Sequence, residues 1–392
     1  MTSESFFIDT ACFQQRKTGE HVCGDAFVSK RIENEGRLVG VLSDGLGSGV
    51  KANILASMTA TMAIRFVAAD QDMLRAAEVI MDALPVCRVR QISYATFSII
   101  DTHADGSVRI VEEGNPEFLL VRGPSVLTIP KRVLESQKWP DRKLLVSEFS
   151  FQPDDRLIFC SDGVTQAGLG GGVLKLGWRR DGLVDYVLAQ LAETPEISSR
   201  RLAQNIVREA IRKEPKRVPH DDTSAVVFHF RTPRRLLLWT GPPYNKESDG
   251  EYARRFDAFP GKKVLSGGTT ANIVSRELGR NITTVFSRQW GTIPSGSKMD
   301  GVDLVTEGVI TLSKTVEYLE EGRIPNLENS AVSLADILLE SDAIHLLVGS
   351  SVNEAHLDPS LPVVLEFRRT IVQRLVKVLR EKYLKEVILE YI

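Results

Sequence analysis

The chain has 392 residues, more than one ordinary core holds, and at roughly 100–200 residues per domain two or three domains are expected. Hydrophobic residues make up 43% and charged residues 26%, which excludes a disordered or collagen-like chain. With 49 Lys and Arg against 51 Asp and Glu, the formal net charge of −2 excludes bulk attraction to nucleic acid or an acidic membrane surface.

No membrane span is expected, because the charge-free run Ala52 to Ile64 is shorter than the roughly 20 residues a helix needs. The opening MTSESFFIDTACF lacks the basic start and apolar core of a signal peptide. Cys12, Cys23, Cys87 and Cys160 are scattered, with no CxxC pair, so a reduced cytoplasmic protein is expected. The six histidines form no zinc pattern.

In chain order, short β-branched runs bounded by Gly, Asp or Pro read as strands. They are Ala26–Val28, Arg37–Leu42, Ala95–Ile100, Val108–Glu112, Phe118–Val121, Leu144–Glu148, Arg156–Cys160 and Ser224–Phe230. Three segments read as helices. Val50–Ala69 carries Ile54, Met58, Met62 and Phe66 at fours and is expected to bury that stripe; Met73–Leu84 and Ile197–Glu214 follow. Strands grouped into meanders favour α+β with antiparallel sheets.

The charged, Pro-containing stretch Arg231–Arg235 between two apolar runs reads as a linker, dividing the chain into 1–231 and 235–392. The second part alternates strands (Leu236–Trp239, Lys263–Leu265, Thr284–Phe286, Leu304–Thr306, Ala343–Val348) with helices such as Ala271–Leu278 and Thr311–Glu321. That pattern predicts an α/β domain with a parallel sheet. Its glycine turn Gly267, Gly268, Thr269 and Thr270 joins strand to helix; anion binding by its N–H groups and a plain tight turn are equally good readings. Asn353, Glu354 and His356 follow another strand end. The segment Pro362–Ile392 reads as one terminal helix, apolar at Phe367, Ile371, Leu375 and Leu379, with a solvated basic face from Arg368 to Lys385.

The chemistry-bearing pattern is acidic. Val39-Gly40-Val41-Leu42-Ser43-Asp44-Gly45 and Leu157-Ile158-Phe159-Cys160-Ser161-Asp162-Gly163 are two apolar strands that end in Ser-Asp-Gly. Asp221-Asp222-Thr223 and Gly24-Asp25 stand just ahead of two more strands. One Asp-Gly is ordinarily a turn. Several carboxylates on rigid strand ends supply the oxygen donors that Mg²⁺ and Mn²⁺ require.

With these residues the chain resembles the PPM-type, metal-dependent protein serine/threonine phosphatases, in the bacterial branch related to stage II sporulation protein E. The resemblance covers roughly 10–230. It runs through Gly24-Asp25, Ser43–Gly49, Ala95-Thr96-Phe97, Glu113-Gly114-Asn115-Pro116, Ser161-Asp162-Gly163-Val164 and Asp221-Asp222-Thr223, in the family's order. It implies an α-β-β-α sandwich of two antiparallel sheets flanked by helices, with two Mn²⁺ or Mg²⁺ ions at one end and room for a third. By the same resemblance Asp44 bridges both ions, the Gly45 carbonyl binds the second, and Asp162 and Asp221 bind the first. Asp25 binds a metal or holds its water, and Asp222 supports them or binds an additional ion. The implied reaction is attack of a metal-bound hydroxide on a phosphoserine or phosphothreonine of a bacterial signalling protein.

Three positions depart from the family pattern. Leu46 stands where many members have His, only Arg16 and Lys17 precede Gly24-Asp25 where many have a phosphate-binding Arg, and Asn115-Pro116 replaces Asp-Ser. The alternative is therefore a catalytically weak or silent phosphatase-like binding module. His21 and His220 flank the acidic motifs and read as solvated; Cys23 and Cys160 read as packing residues; Gly168–Gly172 reads as a loop. The expected partners are a phosphoprotein substrate and, at the second domain, a small-molecule effector or a second copy of the chain, with no nucleic acid and no membrane.

Overall fold

The computed structural model describes residues 6–32, 35–83, 95–135, 143–170, 174–284, 296–350 and 361–392. Cys87, residues 171–172 of the glycine loop, the end of the 284–286 run, and Asn353, Glu354 and His356 lie outside the described residues. The chain divides into two compact units, Met1–Thr232 and Pro233–Ile392.

In unit 1 the chain runs β1 (Phe7–Gln15), β2 (Asp25–Ile32), β3 (Arg37–Gly45), α1 (Gly49–Ala68), α2 (Met73–Ala83), β4 (Ala95–His103) and β5 (Ser107–Glu113). It continues β6 (Leu119–Arg122), β7 (Ser125–Leu127), β8 (Arg132–Glu135), β9 (Lys143–Ser150) and β10 (Arg156–Cys160). It closes with α3 (Asp162–Thr165), α4 (Arg179–Glu193), α5 (Ser199–Lys213) and β11 (Thr223–Arg231). One sheet has the order β1-β11-β10-β6-β7, the other β2-β3-β4-β5-β9-β8, and every pairing is antiparallel.

Alternation along the strands makes the layers. Val39 and Val41 pack with Ile99 and Val111 under α1 and α2, whereas Ile158, Cys160, Ala225 and Val227 pack under α4 and α5. Between the sheets lie aromatic rings: Phe27 meets Phe228 edge-on at 6.4 Å, and Phe159 meets Phe228 at 6.0 Å. The unit is thus an α-β-β-α sandwich. Three of its strands, β1, β7 and β8, and helices α3 and α4 escape the sequence reading. In β1, FIDTACFQQ alternates only weakly, and α4 has a narrow apolar stripe of Leu183, Val187 and Leu191.

The reading of α1 needs correction. Its buried face is Ala52, Ala56, Thr59, Ala60, Ala63, Ile64 and Val67, whereas Ile54 and Met58 are about half exposed, at 52% and 53%. Small side chains let the helix backbone lie close to β3, and that close approach outweighs the larger apolar area that Ile54 and Met58 would have buried.

Unit 2 contains β12 (Arg235–Thr240), α6 (Asp249–Asp257), β13 (Lys262–Ser266), α7 (Gly268–Leu278), β14 (Thr283–Thr284), β15 (Ser297–Met299) and β16 (Val302–Thr306). Then follow α8 (Val309–Glu321), α9 (Ser330–Glu340), β17 (Ala343–Val348), α10 (Leu361–Glu381) and β18 (Glu386–Tyr391). The sheet order is β14-β15-β16-β13-β12-β17-β18, parallel from β16 to β18 and antiparallel at β14 and β15. Leu237 and Trp239 face Phe256, Ala271 and Val274 on one side; Leu236 and Leu238 face α8, α9 and α10 on the other.

The expected terminal helix to Ile392 is wrong past Glu381. Leu384 has φ +54°, which breaks the helix, and the β-branched run Glu386–Tyr391 pairs with β17 residue for residue. The basic face of the helix is exposed at Arg369, Arg374, Lys377 and Lys382, as expected, but Lys385, 7% exposed and beyond the helix, donates to the Leu339 carbonyl at 2.8 Å.

Candidate active site

The acidic residues gather at one end of the sandwich. Asp25 opens β2 directly opposite Asp44 near the end of β3. From the other sheet, Asp162 follows β10, and Asp221 and Asp222 precede β11. Two glycines permit this crowding. A Cβ on Gly45 would stand 2.2 Å from the Ala52 carbonyl oxygen of α1, and one on Gly163 would stand 2.1 Å from the Asp222 carbonyl oxygen. Each Asp-Gly is therefore a point of backbone contact and more than a turn.

A polar network joins the two sheets through Asp25. Ser224 Oγ donates to Asp25 Oδ2 at 2.6 Å, Gln14 Nε2 donates to Ser224 Oγ at 3.0 Å and to the Asp25 carbonyl at 3.2 Å, and the Ser224 N–H donates to Ser161 Oγ at 2.9 Å. Asp44 and Asp162 lie close enough to perturb each other's ionisation. Gln166 Nε2 donates to Asp162 Oδ2 at 2.9 Å, and the Lys17 N–H donates to Asp222 Oδ1 at 3.0 Å. Asn115 Nδ2 donates to Ser98 Oγ at 3.0 Å, and Asn115 also bonds Thr96, which pairs with Asp44, so this departure from the family pattern serves to brace the strand end.

Burial, and then the crowding of like charges, disfavour ionisation. Burial first, then Asp25, Asp162 and Asp221, push Asp44 up to about 9. Burial pushes Asp25 up to about 7 against the lowering pull of Ser224 and Ser161, and burial raises Asp162 and Asp221 as well. The Lys17 ammonium draws Asp221 back down. Among the described residues no three metal-ligating side chains close round a common point. The donor set nevertheless fits hard divalent cations. It is all oxygen, and Asp25 Oδ1 and Asp222 Oδ2 are buried without a hydrogen-bond partner. A divalent charge would relieve the repulsion that protons relieve here.

That repulsion sets a pH dependence. These aspartates ionise near 3.9 in the unfolded chain and well above it in the fold, so between those values the native state holds more protons, and stability falls as pH rises from about 4 to about 7 for Asp25 and to about 9 for Asp44, levelling off beyond. In EDTA the melting temperature is expected to fall between pH 5.5 and 8.5. Asp25→Asn should raise it by a few degrees at pH 8.5 and shrink the rise that Mn²⁺ produces. Calorimetry with and without EDTA checks this, and an Asp25→Asn protein less stable than wild type in EDTA at pH 8.5 would count against it.

The remaining flanking residues are peripheral. His21 is exposed, and exposed His220 lies 2.8 Å from Glu214 through Nδ1. Burial pushes the Cys160 thiol up to about 12 and raises Cys23 and Cys12 too, so none is a ready thiolate. Leu46 is half-buried and offers no proton. The sequence reading missed Gln14, Ser161 and Ser224 as supports. The repeated Ser-Asp-Gly was a signal for Ser161; Gln14 had none, because its strand had not been recognised. Gly267–Thr270 belong to unit 2, at the start of α7.

An antiparallel α-β-β-α sandwich with aspartates at its strand ends is the architecture of the PP2C-type serine/threonine phosphatases. A family model for Stage II sporulation protein E (SpoIIE) matches residues 34–231, and the chain belongs to that family. Among solved structures, the phosphatase domain of SpoIIE from Bacillus subtilis is similar at 18% identity, over 58% of this chain and 94% of that one, with a TM-score of 0.44. The RsbU and RsbW domains of a Mycobacterium tuberculosis protein are similar at 18% identity, over 64% and 68%, with a TM-score of 0.47. RsbX in complex with magnesium is similar at 19% identity, over 57% and 95%, with a TM-score of 0.37. Among proteins of curated function none matches the chain. Among the described residues no helix is long and apolar enough to cross a membrane.

Proposed function

We propose that unit 1 is a divalent-cation-dependent phosphatase that hydrolyses phosphoserine or phosphothreonine on a signalling phosphoprotein, and that unit 2 senses a ligand or recruits a partner. The observation that carries this reading is the gathering of Asp25, Asp44, Asp162 and Asp221 at one sandwich end in a SpoIIE family member. Asp44, the Gly45 carbonyl, Asp162 and Asp221 would hold two Mn²⁺ or Mg²⁺ ions, with Asp25 and Asp222 beside them for support or an additional ion. Bound there, such ions supply an activated water and neutralise phosphate charge.

The chain's own residues do the rest. Ser224 and Gln14 keep Asp25 oriented across the two sheets, and Gln166 keeps Asp162 oriented. Lys17, next to β1 and close enough to act on Asp221, offers the positive charge that steers a phosphate to this end. The direct test is para-nitrophenyl phosphate hydrolysis with Mn²⁺, with Mg²⁺ and with EDTA; no turnover under any of the three would overturn the reading. Lys17→Ala is expected to raise KM by about tenfold, with a smaller effect on kcat, since a phosphate-facing cation acts on binding. An unchanged KM removes Lys17 from the site. Leu46 favours the second reading, a silent module that binds a phosphoprotein without cleaving it. Tight binding of a phosphopeptide with no turnover in saturating Mn²⁺ would select that one.

A further inference from the structure

At the acidic end the chain crosses from one sheet to the other: residues 16–24 join β1 to β2, with Lys17 near the start of the crossing and Asp25 just past its end. The crossing is tied down on both sides. Toward β11, the Thr18 N–H donates to the Pro219 carbonyl at 3.1 Å, beside the Lys17 N–H bond to Asp222. Toward α1, Asn53 Nδ2 donates to the Cys23 carbonyl at 2.8 Å. Within the crossing, Arg16 Nη1 donates to the His21 carbonyl at 3.1 Å.

Glu20 makes a further tie, to the turn that follows Asp44. Ser48 Oγ donates to Glu20 Oε1 at 3.0 Å, and a Cβ on Gly49 would stand 2.2 Å from Glu20 Oε2, so the whole carboxylate lies over residues 48 and 49. The first turn of α1 holds no acidic residue of its own. Its N-cap Ser48 makes no side-chain bond to a helix N–H; the hydroxyl donates to Glu20 instead. A carboxylate 28 residues back in sequence therefore supplies the negative charge that favours a helix N-terminus.

The turn that Glu20 holds leads straight from the acidic group. Between Asp44 and α1 the chain passes through Gly47 and Gly49 at φ +100° and +72°. Glycines give such a turn many alternative conformations, and a bond from outside selects one of them. Its near end is Asp44 and the Gly45 carbonyl, and its far end is Ser48. The crossing that carries Glu20 also leads into Asp25 and bonds Asp222. One carboxylate thus connects the turn after Asp44 to the segment that fixes two more of the gathered aspartates.

We propose that Glu20 is a positioning residue for the cation centre: through Ser48 it holds the turn after Asp44, so that the Gly45 carbonyl and the aspartates meet the ions together. This rests on the cation-dependent reading of unit 1. The test is Mn²⁺ titration of the full chain after removal of chelator, with free Mn²⁺ followed by electron paramagnetic resonance, beside melting in EDTA. Glu20→Ala is expected to weaken Mn²⁺ binding about tenfold or more, as loss of a contact that orients metal ligands does. Its melting temperature in EDTA should fall by no more than about 4 °C, the size of a lost helix cap. Glu20→Gln keeps an oxygen for Ser48 and loses only charge, so it should bind Mn²⁺ within about threefold of wild type. Ser48→Ala should match Glu20→Ala, and the double variant should bind no more weakly than either single one, because the two side chains act as one contact. Ser48→Ala carries the test if Glu20→Ala does not fold. Wild-type Mn²⁺ affinity in Glu20→Ala or Ser48→Ala, equal weakening in Glu20→Gln and Glu20→Ala, or additive losses in the double variant would overturn the proposal. No Mn²⁺ binding by the wild type itself would overturn the cation-dependent reading, and this inference with it.

Discussion

Replacing Asp44 by Asn is expected to lower aryl phosphate hydrolysis in saturating Mn²⁺ by about 10³-fold or more, a barrier increase of about 4 kcal/mol. Asp44 lies among the other acidic groups: it pairs across the strands with Asp25, and Asp25, Asp162 and Asp221 all oppose its ionisation. The fold should survive, because that carboxyl is pushed up to about 9 and an uncharged amide suits its surroundings better than a carboxylate does. Unchanged or higher thermal stability in EDTA, together with lost turnover, is the expected pair of results. Wild-type rates after chelation and metal restoration would remove Asp44 from the mechanism.

The second large effect is expected from a single methyl group. Gly45→Ala places a Cβ 2.2 Å from the Ala52 carbonyl oxygen and 2.9 Å from the Ala52 Cα. Both are backbone atoms of α1, so no side-chain rotation relieves the clash. Either α1 moves away from β3 or the end of β3 shifts, and the second response displaces Asp44. A loss of about 3 kcal/mol is expected, the upper range for overpacking. That corresponds to a fall of roughly 6–12 °C in melting temperature for a unit of this size. Activity should fall together with stability and should not return with excess Mn²⁺, in contrast to a variant that only weakens cation binding. A Gly45→Ala protein with wild-type melting and turnover would contradict the close packing of α1 on the strand end.

Much of this protein is local in its sequence. The Ser-Asp-Gly strand ends, the runs that become β3, β4, β10 and β11, and the α/β alternation after β12 are all written in consecutive residues. Period-two runs, Gly and Pro act within a few positions, so they are legible without partners. The exchange of α10 for β18 near Leu384 was equally local but ambiguous. Val387 and Leu389 fit a helical stripe as well as a strand, and only pairing with β17 decides between them.

What tertiary structure alone decided is of three kinds. Gln14 and Ser224 stand 210 residues apart in sequence, yet β1 and β11 bring them together and carry Lys17 to Asp222. No periodicity encodes a pairing at that separation. The face of α1 that is buried depends on how closely β3 lets a helix approach, so alanines beat Ile54 and Met58 although residue hydrophobicity says the reverse. The electrostatics belong to the assembled site. Each Asp is an ordinary surface-type residue in the sequence, and only mutual burial at one sandwich end raises its affinity for protons.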